Sequence, residues 1–399
     1  MSKRVFVTGI GIISGIGRNV EENLQAIRQK KSGIGKIKYL NTNHKDTIPA
    51  SEVKLSNDEL MDWYGLDKKQ PYTRATLLGL IAAHEAVQKA QIKDIRQYRT
   101  GLISGTTVGG MDKSEHFYKD LLTTDKHIQY IETHDCGDST EKIADFLGVK
   151  DFVSTTSTAC SSAANSILLG SRMIKNNLLD RVIAGGTESL TKYHLNGFNT
   201  LMILDREPCK PFDENRKGLN LGEGAAFLVI ESEDVVKTTG KKVLCELTGY
   251  GNSCEAFHQT ASTPEGKGAY MAMKEALDRS SLKPEQIDYI NAHGTGTENN
   301  DLSEGRAIEK LFGENLPKIS STKAFTGHTT SGSGGIEAVL SVLAITHNLI
   351  FPNLNFSEQM KELNFSPVTE LLENVKVDHV LSNSFGFGGN NSALIFSRY

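Results

Sequence analysis

Three strand, turn and helix units occur twice along the chain in the same order, and this internal repeat most constrains the fold. The matching segments are 98–110 (YRTGLISGTTVGG) and 287–299 (IDYINAHGTGTEN), 157–177 (STACSSAANSILLGSRMIKNN) and 326–348 (TGHTTSGSGGIEAVLSVLAITHN), and 180–189 (DRVIAGGTES) and 378–389 (DHVLSNSFGFGG). Repeated units that alternate strands with helices predict an α/β protein of two similar halves. We divide the chain into residues 1–240 and 241–399, and we expect the active site where the two halves meet.

Charge and cysteine content exclude several classes of protein. The net charge is −4 and no basic stripe is present, so we expect no nucleic-acid partner. No apolar run approaches the ~20 residues that a membrane span needs, and the glycine-interrupted start lacks a signal-cleavage pattern, so we expect no membrane partner. The five cysteines are odd in number and lack CxxC spacing, which is typical of reduced thiols in a cytoplasmic protein.

Cys160 lies at a predicted turn between a strand and a helix. A β-prone run at 151–159 precedes it, and the spacing of Ala163, Ile167 and Ile174 predicts a helix after it. Free N–H groups and the helix dipole at such a turn favour a lowered thiol pKa, and small neighbours leave room for an acyl group. We therefore interpret Cys160 as a nucleophile, and the other four cysteines as structural residues.

His293 and His328 lie in two further turns that are rich in small residues. Catalytic groups gather in such loops at the ends of strands and helices. One thiol with two imidazoles that donate to a developing oxyanion suits carbon–carbon bond formation on thioesters. A zinc site is the alternative, but these residues lie 133 and 35 positions apart and no fourth ligand is evident.

The motifs around these residues resemble those of the elongating β-ketoacyl-acyl carrier protein synthases, which are condensing enzymes of the thiolase superfamily. The resemblance covers nearly the whole chain, in the motifs VTGIGIIS, TACSSA, AGGTES, PFDENRKGLNLGEGAAFLVIE, NAHGTGTENND, SSTKAFTGH, GGIEAVLS and NSFGFGGNN. It implies a thiolase-like α/β fold of five layers, αβαβα, built from two duplicated halves and usually dimeric. It also implies an acyltransferase that joins an acyl group on Cys160 to malonyl-acyl carrier protein by decarboxylative Claisen condensation, giving β-ketoacyl-acyl carrier protein.

The resemblance also implies roles for residues beyond the nucleophile. His293 and His328 would stabilise the malonyl enolate, while Lys323 would support this site with Glu337 as its acidic partner. A structural ion pair is the alternative for Lys323 and Glu337. The other implied residues are Cys160, Phe385 and Phe387 as oxyanion and gating groups, Val108, Thr295 and Thr297 as substrate contacts, and Asn291, Glu337, Ser382 and Asn383 as a monovalent cation site. No other cofactor is implied, because the phosphopantetheine arrives on the carrier protein.

The stretch before the nucleophile leaves the acyl substrate open. Residues 132–148 carry His134, Asp135, Asp138 and Glu141, where relatives that elongate long fatty chains have an apolar tunnel lining. If these side chains face the tunnel, they disfavour a saturated chain, and the substrate is shorter or conjugated, as in aryl polyene and polyketide synthesis. If they face solvent or a subunit interface, fatty-acid elongation fits.

The same motifs discriminate against related functions. A thiolase needs a second catalytic cysteine near the C-terminus, but none follows Cys254, and an initiating synthase has an asparagine where this chain has its second histidine. A dehydrogenase is disfavoured because Ser14 interrupts the glycine fingerprint. A chain-length factor usually lacks the nucleophile, yet this chain could be active only beside such a partner.

We expect acyl carrier protein and the acyl and malonyl thioesters as partners, with a homodimer or a heterodimer with a related subunit as the assembly. Because carrier proteins are acidic, cationic side chains should surround the entrance to the site. The candidates are Lys68, Lys69, Arg206 and Lys210.

Overall fold

The structure is a computed structural model that describes residues 3–399, which form fourteen strands and thirteen α-helices. The strands are β1 (Val5–Ser14), β2 (Ile34–Gly35), β3 (Ala50–Ser51), β4 (Thr100–Gly105), β5 (Phe152–Thr156), β6 (Arg181–Glu188), β7 (Gly224–Ser232), β8 (Cys245–Cys254), β9 (Tyr289–Asn291), β10 (Lys318–Ser320), β11 (Leu349–Ile350), β12 (Leu372–Glu373), β13 (His379–Gly386) and β14 (Asn390–Ser397). The helices are α1 (Val20–Arg28), α2 (Asn57–Tyr64), α3 (Arg74–Lys89), α4 (Met111–Leu121), α5 (Gln129–Glu132), α6 (Cys136–Leu147), α7 (Ser162–Lys175), α8 (Lys192–Thr200), α9 (Glu233–Thr239), α10 (Lys267–Ser280), α11 (Glu298–Phe312), α12 (Lys323–Thr326) and α13 (Ser333–His347).

Ten strands pair in the order β10-β9-β13-β14-β8-β1-β7-β6-β4-β5, which consists of two five-stranded halves. The halves meet between β8 and β1 at only two residue pairs, Phe6–Glu246 and Val7–Cys245. Taken in chain order, the five strands are β1, β4, β5, β6 and β7 in the first half and β8, β9, β10, β13 and β14 in the second. In both halves the fifth strand is antiparallel to its two neighbours, the first and the fourth. The fourth, second and third strands lie side by side in that order and are parallel. The identical order and directions confirm the predicted duplication.

The three sequence repeats occupy equivalent places in the two halves. The first pair forms β4 and β9, the second strand of each half, and the third pair forms β6 and β13, the fourth strand of each half. The second pair forms α7 and α13, which contact each other. The predicted division after residue 240 lies between α9 and β8, and it stays a prediction.

Helices α7 and α13 form a central layer between the two halves of the sheet. Helix α13 is buried at every position from Ser333 to Ile345, as its apolar composition on all sides requires, and it packs against β7 of one half and β13 of the other. Helix α3 covers the outer face of the first half, and α10, backed by α11, covers that of the second. The succession of helix, sheet, helix, sheet and helix confirms the five-layered fold.

Two glycines let α7 start close against the sheet. A Cβ at Gly105 would lie 2.6 Å from the backbone nitrogen of Ala163, and one at Gly186 would lie 2.7 Å from the Cβ of Ala163. Only glycine permits this approach, which fixes the first turn of α7 at the ends of β4 and β6. None of the helices formed by residues 3–399 combines the length and apolar character needed to cross a bilayer.

Candidate active site

Cys160 lies in the turn between β5 and α7, as predicted from the sequence. The preceding residue, Ala159, has a φ of 51°, a left-handed conformation that costs a non-glycine residue roughly 1–2 kcal/mol. Ser161 is the N-cap of α7, and Cys160 is only 5% exposed. Strain of this kind persists where the surrounding structure enforces it, and here it presents the sulfur to the interior of the protein.

Burial raises the pKa of the Cys160 thiol to about 11. The positive charge of Lys323 and a hydrogen bond from the backbone of Phe387 act in the opposite direction, but they are smaller than the effect of burial. The sequence-based expectation of a lowered thiol pKa is therefore wrong, because the loss of water outweighs the favourable charges. Cys160 is a neutral thiol at rest and has to lose its proton as it reacts.

His293 and His328 lie beside this thiol, so the structure brings the three predicted residues together. One ligand atom from each of the three lies within 4.8 Å of the other two, and His328 Nε2 is 3.1 Å from Cys160 Sγ. The two imidazole rings are 5.2 Å apart and nearly perpendicular, at 83°. Burial, followed by the charge of Lys323, holds the pKa of both histidines well below its ordinary value. Both rings are therefore neutral at pH 7 and can donate one hydrogen bond each.

Lys323 fixes which nitrogen of His293 carries the proton. Its ammonium group contacts His293 Nδ1 at 3.2 Å, donates to the His293 carbonyl at 2.6 Å and donates to Glu337 Oε1. An ammonium group has three donors and no acceptor, so Nδ1 of His293 accepts. The proton of neutral His293 therefore resides on Nε2, the ring nitrogen left for a substrate.

A metal ion is a poor occupant of the Cys160, His293 and His328 cluster, although the spacing of these residues fits three ligands of one ion. Zinc needs a ligand lone pair on each imidazole, and Nδ1 of His293 already accepts from Lys323. The fixed positive charge of this buried lysine would also repel a divalent cation. The geometry favours hydrogen-bond donation over metal binding.

The residues expected to hold a monovalent cation include several buried oxygen atoms without partners. Within residues 3–399, Glu337 Oε2, Ser382 Oγ and Asn383 Oδ1 make no hydrogen bond. Ser382 on β13 lies in register with Asn291 on the neighbouring strand β9. Burial, opposed by Lys323, raises the pKa of Glu337 to about 7. Unpaired oxygens of carboxylate, hydroxyl and amide groups suit a hard cation, so the residues present fit such an ion.

The loop after β13 lies directly on the nucleophile. A Cβ at Gly386, the last residue of β13, would be 3.0 Å from the backbone nitrogen of Cys160 and 3.2 Å from the Thr158 carbonyl, so a side chain here would crowd the turn of the nucleophile. The neighbouring Phe387 directs its backbone N–H at the thiol, and the ring of Phe385 lies 6.1 Å from that of His293. The backbone N–H groups of Cys160 and Phe387 both favour the anionic form of the sulfur, which is compatible with the predicted oxyanion hole.

A cavity of about 350 Å³ opens in front of these groups. The predicted residues that line it are Cys160, His293, Thr295, Thr297, His328, Phe385 and Phe387. Thr295 and Thr297 share a hydrogen bond of 2.9 Å through their hydroxyl groups. Lys323 and Glu337 contact this site only through His293 and each other, and Val108 is buried in the loop after β4 and does not line the cavity.

Two buried acids that the sequence reasoning missed hold the turn around His293. Glu304 accepts from the backbone N–H groups of His293 and Gly294, at 2.9 and 2.7 Å, and Asp301 accepts from Gly296 at 3.2 Å. Both lie in the first two turns of α11, and both are fully buried. Their spacing of three residues after a glycine-rich turn was the available signal, because it places both on one helix face.

The acidic stretch before the nucleophile has local partners in this protomer. His134 is exposed and contacts Ser114 Oγ at 2.8 Å, and Asp135 caps α6 by accepting from Gly137 N–H. Asp138 pairs with Lys142 four residues later. None of His134, Asp135, Asp138 and Glu141 lines the cavity at Cys160, so within the protomer they do not meet the acyl site.

Family models match almost the whole chain. The Beta-ketoacyl synthase N-terminal domain matches residues 2–235, and the Beta-ketoacyl synthase C-terminal domain matches residues 244–357. Among curated proteins, 3-oxoacyl-[acyl-carrier-protein] synthase 2 of Staphylococcus aureus is 34% identical and covers 100% of this chain and 99% of its own length. The protein of the same name from Synechocystis is 35% identical, covering 100% of this chain and 98% of the relative.

Solved structures show the same fold over the full length. The ishigamide ketosynthase/chain length factor superposes with a TM-score of 0.93 at 30% identity and covers 100% of both chains. One chain from the complex of the ketosynthase ApeO with its chain length factor ApeC, from Xenorhabdus doucetiae, superposes with a TM-score of 0.87 at 29% identity, covering 100% of this chain and 98% of that one.

Proposed function

This chain belongs to the β-ketoacyl synthase family, and from that premise we propose that it is an elongating condensing enzyme with a Cys-His-His active site. It transfers an acyl group to Cys160 and joins it to malonyl-acyl carrier protein, releasing carbon dioxide and β-ketoacyl-acyl carrier protein. The observation that carries the proposal is one buried thiol beside two neutral imidazoles, of which His293 is held as the Nε2–H tautomer by Lys323. That set of donors suits an enolate, which has to be stabilised without being protonated on carbon.

The first step is acyl transfer from the carrier protein. The Cys160 sulfur attacks the acyl carbon, the bond from that carbon to the sulfur of the phosphopantetheine breaks, and the thiol proton ends on the departing carrier sulfur. His328 Nε2, 3.1 Å from Sγ, is placed to relay this proton. The developing oxyanion accepts hydrogen bonds from the backbone N–H groups of Cys160 and Phe387. These donors need no reorganisation, because the turn and the loop that carry them are already in place.

The second step breaks the bond between the malonyl α-carbon and its carboxylate. The electron pair left by carbon dioxide forms an enolate, whose oxygen accepts from His293 and His328. These hydrogen bonds strengthen as negative charge develops on the oxygen, so they stabilise the transition state more than they stabilise the bound substrate. The α-carbon then attacks the acyl carbon, the bond to Sγ breaks, and Cys160 regains a proton from solvent.

We assign the phosphopantetheine arm to the cavity at Cys160, where Thr295 and Thr297 offer hydroxyl groups to its amides. Near the entrance, Lys217 is exposed on the cavity lining, and Arg206 is held by Asn199 at the end of α8. Positive charge at this rim suits the acidic surface of a carrier protein. Lys68 is less suited, because Asp62 neutralises it in an exposed ion pair.

We infer a monovalent cation at Asn291, Glu337, Ser382 and Asn383, supported by the unpaired oxygens of the last three. When bound, the ion would supply a fixed positive charge that neutralises Glu337 in addition to Lys323. Because these four residues lie on β9, β13 and α13, their shared contact with the ion would hold the three elements together behind His293. The five free cysteines, Cys160 among them, suit a reducing compartment, and we place the enzyme in the cytoplasm.

Strand β5 supports the proposal of a dimer. It is the outermost strand of the first half, its side chains are half-buried or exposed, and it leads directly into the turn of Cys160. An edge strand with unpaired backbone groups is suited to pairing with a second subunit. A second candidate function is elongation of a conjugated chain in a heterodimer with a chain length factor, because two relatives of similar structure are ketosynthases with such partners.

Intact-mass spectrometry tests the proposal on the purified protein, incubated with carrier proteins that bear saturated, conjugated or aryl acyl groups. We expect a mass gain at Cys160 in the wild type and none in Cys160→Ala, which should still decarboxylate malonyl carrier protein. Cys245→Ala, a substitution at a fully buried cysteine of β8, should load normally. Loading of Cys160 by long saturated donors would indicate fatty-acid elongation. Loading by conjugated donors alone would indicate the second candidate function, elongation of a conjugated chain. A Cys160→Ala protein that still condenses would refute the assignment.

A further inference from the structure

His194 is a buried histidine that the mechanism does not use. It lies in the first turn of α8, is 7% exposed, and has its pKa lowered by burial, which keeps the ring neutral. A buried neutral imidazole of this kind acts as a flat aromatic surface with one donor.

An aromatic chain leads from this ring to the loop on the nucleophile. The edge of the His194 ring meets Phe198, one helical turn later, with the centroids 6.0 Å apart and the planes at 84°. Phe198 in turn stacks on Phe387, at 5.7 Å and 19°. Both geometries are favoured arrangements of aromatic pairs, so each contact stabilises the position of the next ring.

The first turn of α8 is fixed independently of the loop. Glu115 on α4 accepts from the backbone N–H groups of Lys192 and Tyr193, at 2.9 and 3.0 Å, and the Thr191 hydroxyl accepts from His194 N–H at 3.1 Å. The loop of Phe387 is held by Gly388 N–H donating to the Gln259 carbonyl at 2.9 Å and by Asn390 Nδ2 donating to the Phe387 carbonyl at 3.2 Å, but glycines flank Phe387 on both sides and leave its backbone freer than that of a helix. The rigid partner in this chain of rings is therefore α8, and the adjustable partner is the loop.

Glu188, a carboxylate buried at the end of β6, lies near enough to His194 for its charge to act on the His194 pKa, opposing the effect of burial. Glu188 accepts from the Thr107 backbone at 2.9 Å and from Ser331, which follows His328 by three residues. Hydrogen bonds from the loops of Thr107 and Ser331 thus converge on one carboxylate beside His194.

We propose that His194 is a positioning residue for the condensation, holding Phe387 through Phe198 so that the Phe387 backbone N–H points at the acyl group on Cys160. The expected effect on condensation rests on the proposed function, whereas the ring contacts of His194, Phe198 and Phe387 do not depend on it. Without the imidazole ring, Phe198 loses its support, the loop departs from the nucleophile, and the oxyanion loses a donor. Access to the thiol then increases while acyl transfer slows.

The test compares His194→Ala, His194→Phe and His194→Gln in the full-length protein. We expect His194→Ala to lower the maximal rate of acyl transfer at least tenfold, with little change in the KM for acyl carrier protein, because carrier docking is remote. His194→Phe keeps the ring and should recover to within about threefold of wild type, whereas His194→Gln keeps a donor without a ring and should resemble His194→Ala. Recovery by glutamine rather than phenylalanine would overturn the proposal.

A second readout is independent of condensation: the rate at which iodoacetamide alkylates Cys160, located by peptide mass. We expect at least a fivefold increase in His194→Ala and a return to the wild-type rate in His194→Phe. If the wild type gains no acyl group, the proposed function fails, yet the alkylation rates still test the ring contacts. Unchanged alkylation in His194→Ala would overturn the inference whatever the acyl result.

Two further variants separate positioning from folding. Phe198→Leu removes the middle ring of a half-buried residue and should reproduce the His194→Ala effect, and the double variant should be no worse than either single one, because both act through one contact. If the losses of the two single variants added in the double variant, the two rings would not act through one contact. His84→Ala is the matched control, since His84 makes similar edge contacts with Tyr64 and Phe146 at 5.6 and 5.5 Å, but away from the site.

Discussion

The buried ion pair of Lys323 and Glu337 is predicted to serve catalysis rather than stability, and a double-mutant cycle can separate the two. Both side chains are at most 3% exposed, and Lys323 also contacts His293 through Nδ1 and the carbonyl. Removing one partner leaves the other charge buried, which costs about 3–5 kcal/mol. We therefore expect Lys323→Met and Glu337→Leu each to lower the free energy of unfolding by that amount in urea denaturation.

The double variant Lys323→Met/Glu337→Leu should recover most of the lost stability. Replacing both charges by apolar groups of similar volume is often neutral or stabilising by about 1–4 kcal/mol. Catalysis should not recover, because His293 has still lost the donor that holds its proton on Nε2. A hydrogen bond from a charged group is worth about 1.5–3 kcal/mol, so malonyl decarboxylation should fall roughly 10- to 100-fold.

Decarboxylation is measured as carbon dioxide released from malonyl carrier protein, and acyl loading of Cys160 is followed separately by mass. Arg181→Met is the matched control, because Arg181 and Glu231 form a buried pair at 2.6 Å on β6 and β7. This control should lose stability without a comparable loss of decarboxylation. A stable double variant that decarboxylates like wild type would refute the reasoning and make the Lys323 and Glu337 pair purely structural.

Three further predictions address the thiol, the loop and the turn around His293. With a thiol pKa of about 11, alkylation of Cys160 should accelerate about tenfold per pH unit from pH 7 to 9, and a plateau in that range would contradict the assigned burial effect. Gly386→Ala should slow acyl loading, because its Cβ would lie 3.0 Å from the Cys160 nitrogen, whereas Gly35→Ala, with no atom within 4 Å, should load normally. Glu304→Ala strips two buried N–H groups of their acceptor and should cost roughly 3 kcal/mol in urea denaturation; a loss below 1 kcal/mol would show that they find another partner.

The sequence predicted the local elements well because their signals are local. The helix expected after Cys160 is α7, Ser162–Lys175, with Ser161 as N-cap and Asn176 as C-cap. The turns of Cys160, His293 and His328 were evident from runs of small residues, and their convergence followed from the duplication. A repeated strand order places equivalent turns at equivalent edges, so the meeting of the halves was predictable before any distance was known.

The energetic state of the site was less predictable, because burial depends on residues far apart in the chain. The helix dipole near Cys160 is visible in the sequence, whereas the loss of water that raises its pKa is not. The aromatic contact of Phe198 with Phe387 likewise joins residues 189 positions apart. Val108 shows the limit of a resemblance, since its motif position is clear but its side chain does not reach the cavity of the protomer.

The charges around the thiol explain how one cavity can serve two different steps. Burial alone would keep the thiol and both imidazoles neutral, and the positive charge of Lys323 reinforces this for the imidazoles while favouring a thiolate. Acyl transfer needs transient negative charge on sulfur, and decarboxylation needs it on the enolate oxygen a few ångströms away. A single buried cation behind His293 stabilises both anions. Because both histidines are neutral before each step, His328 can relay the thiol proton during acyl transfer, and both rings can donate to the enolate during decarboxylation.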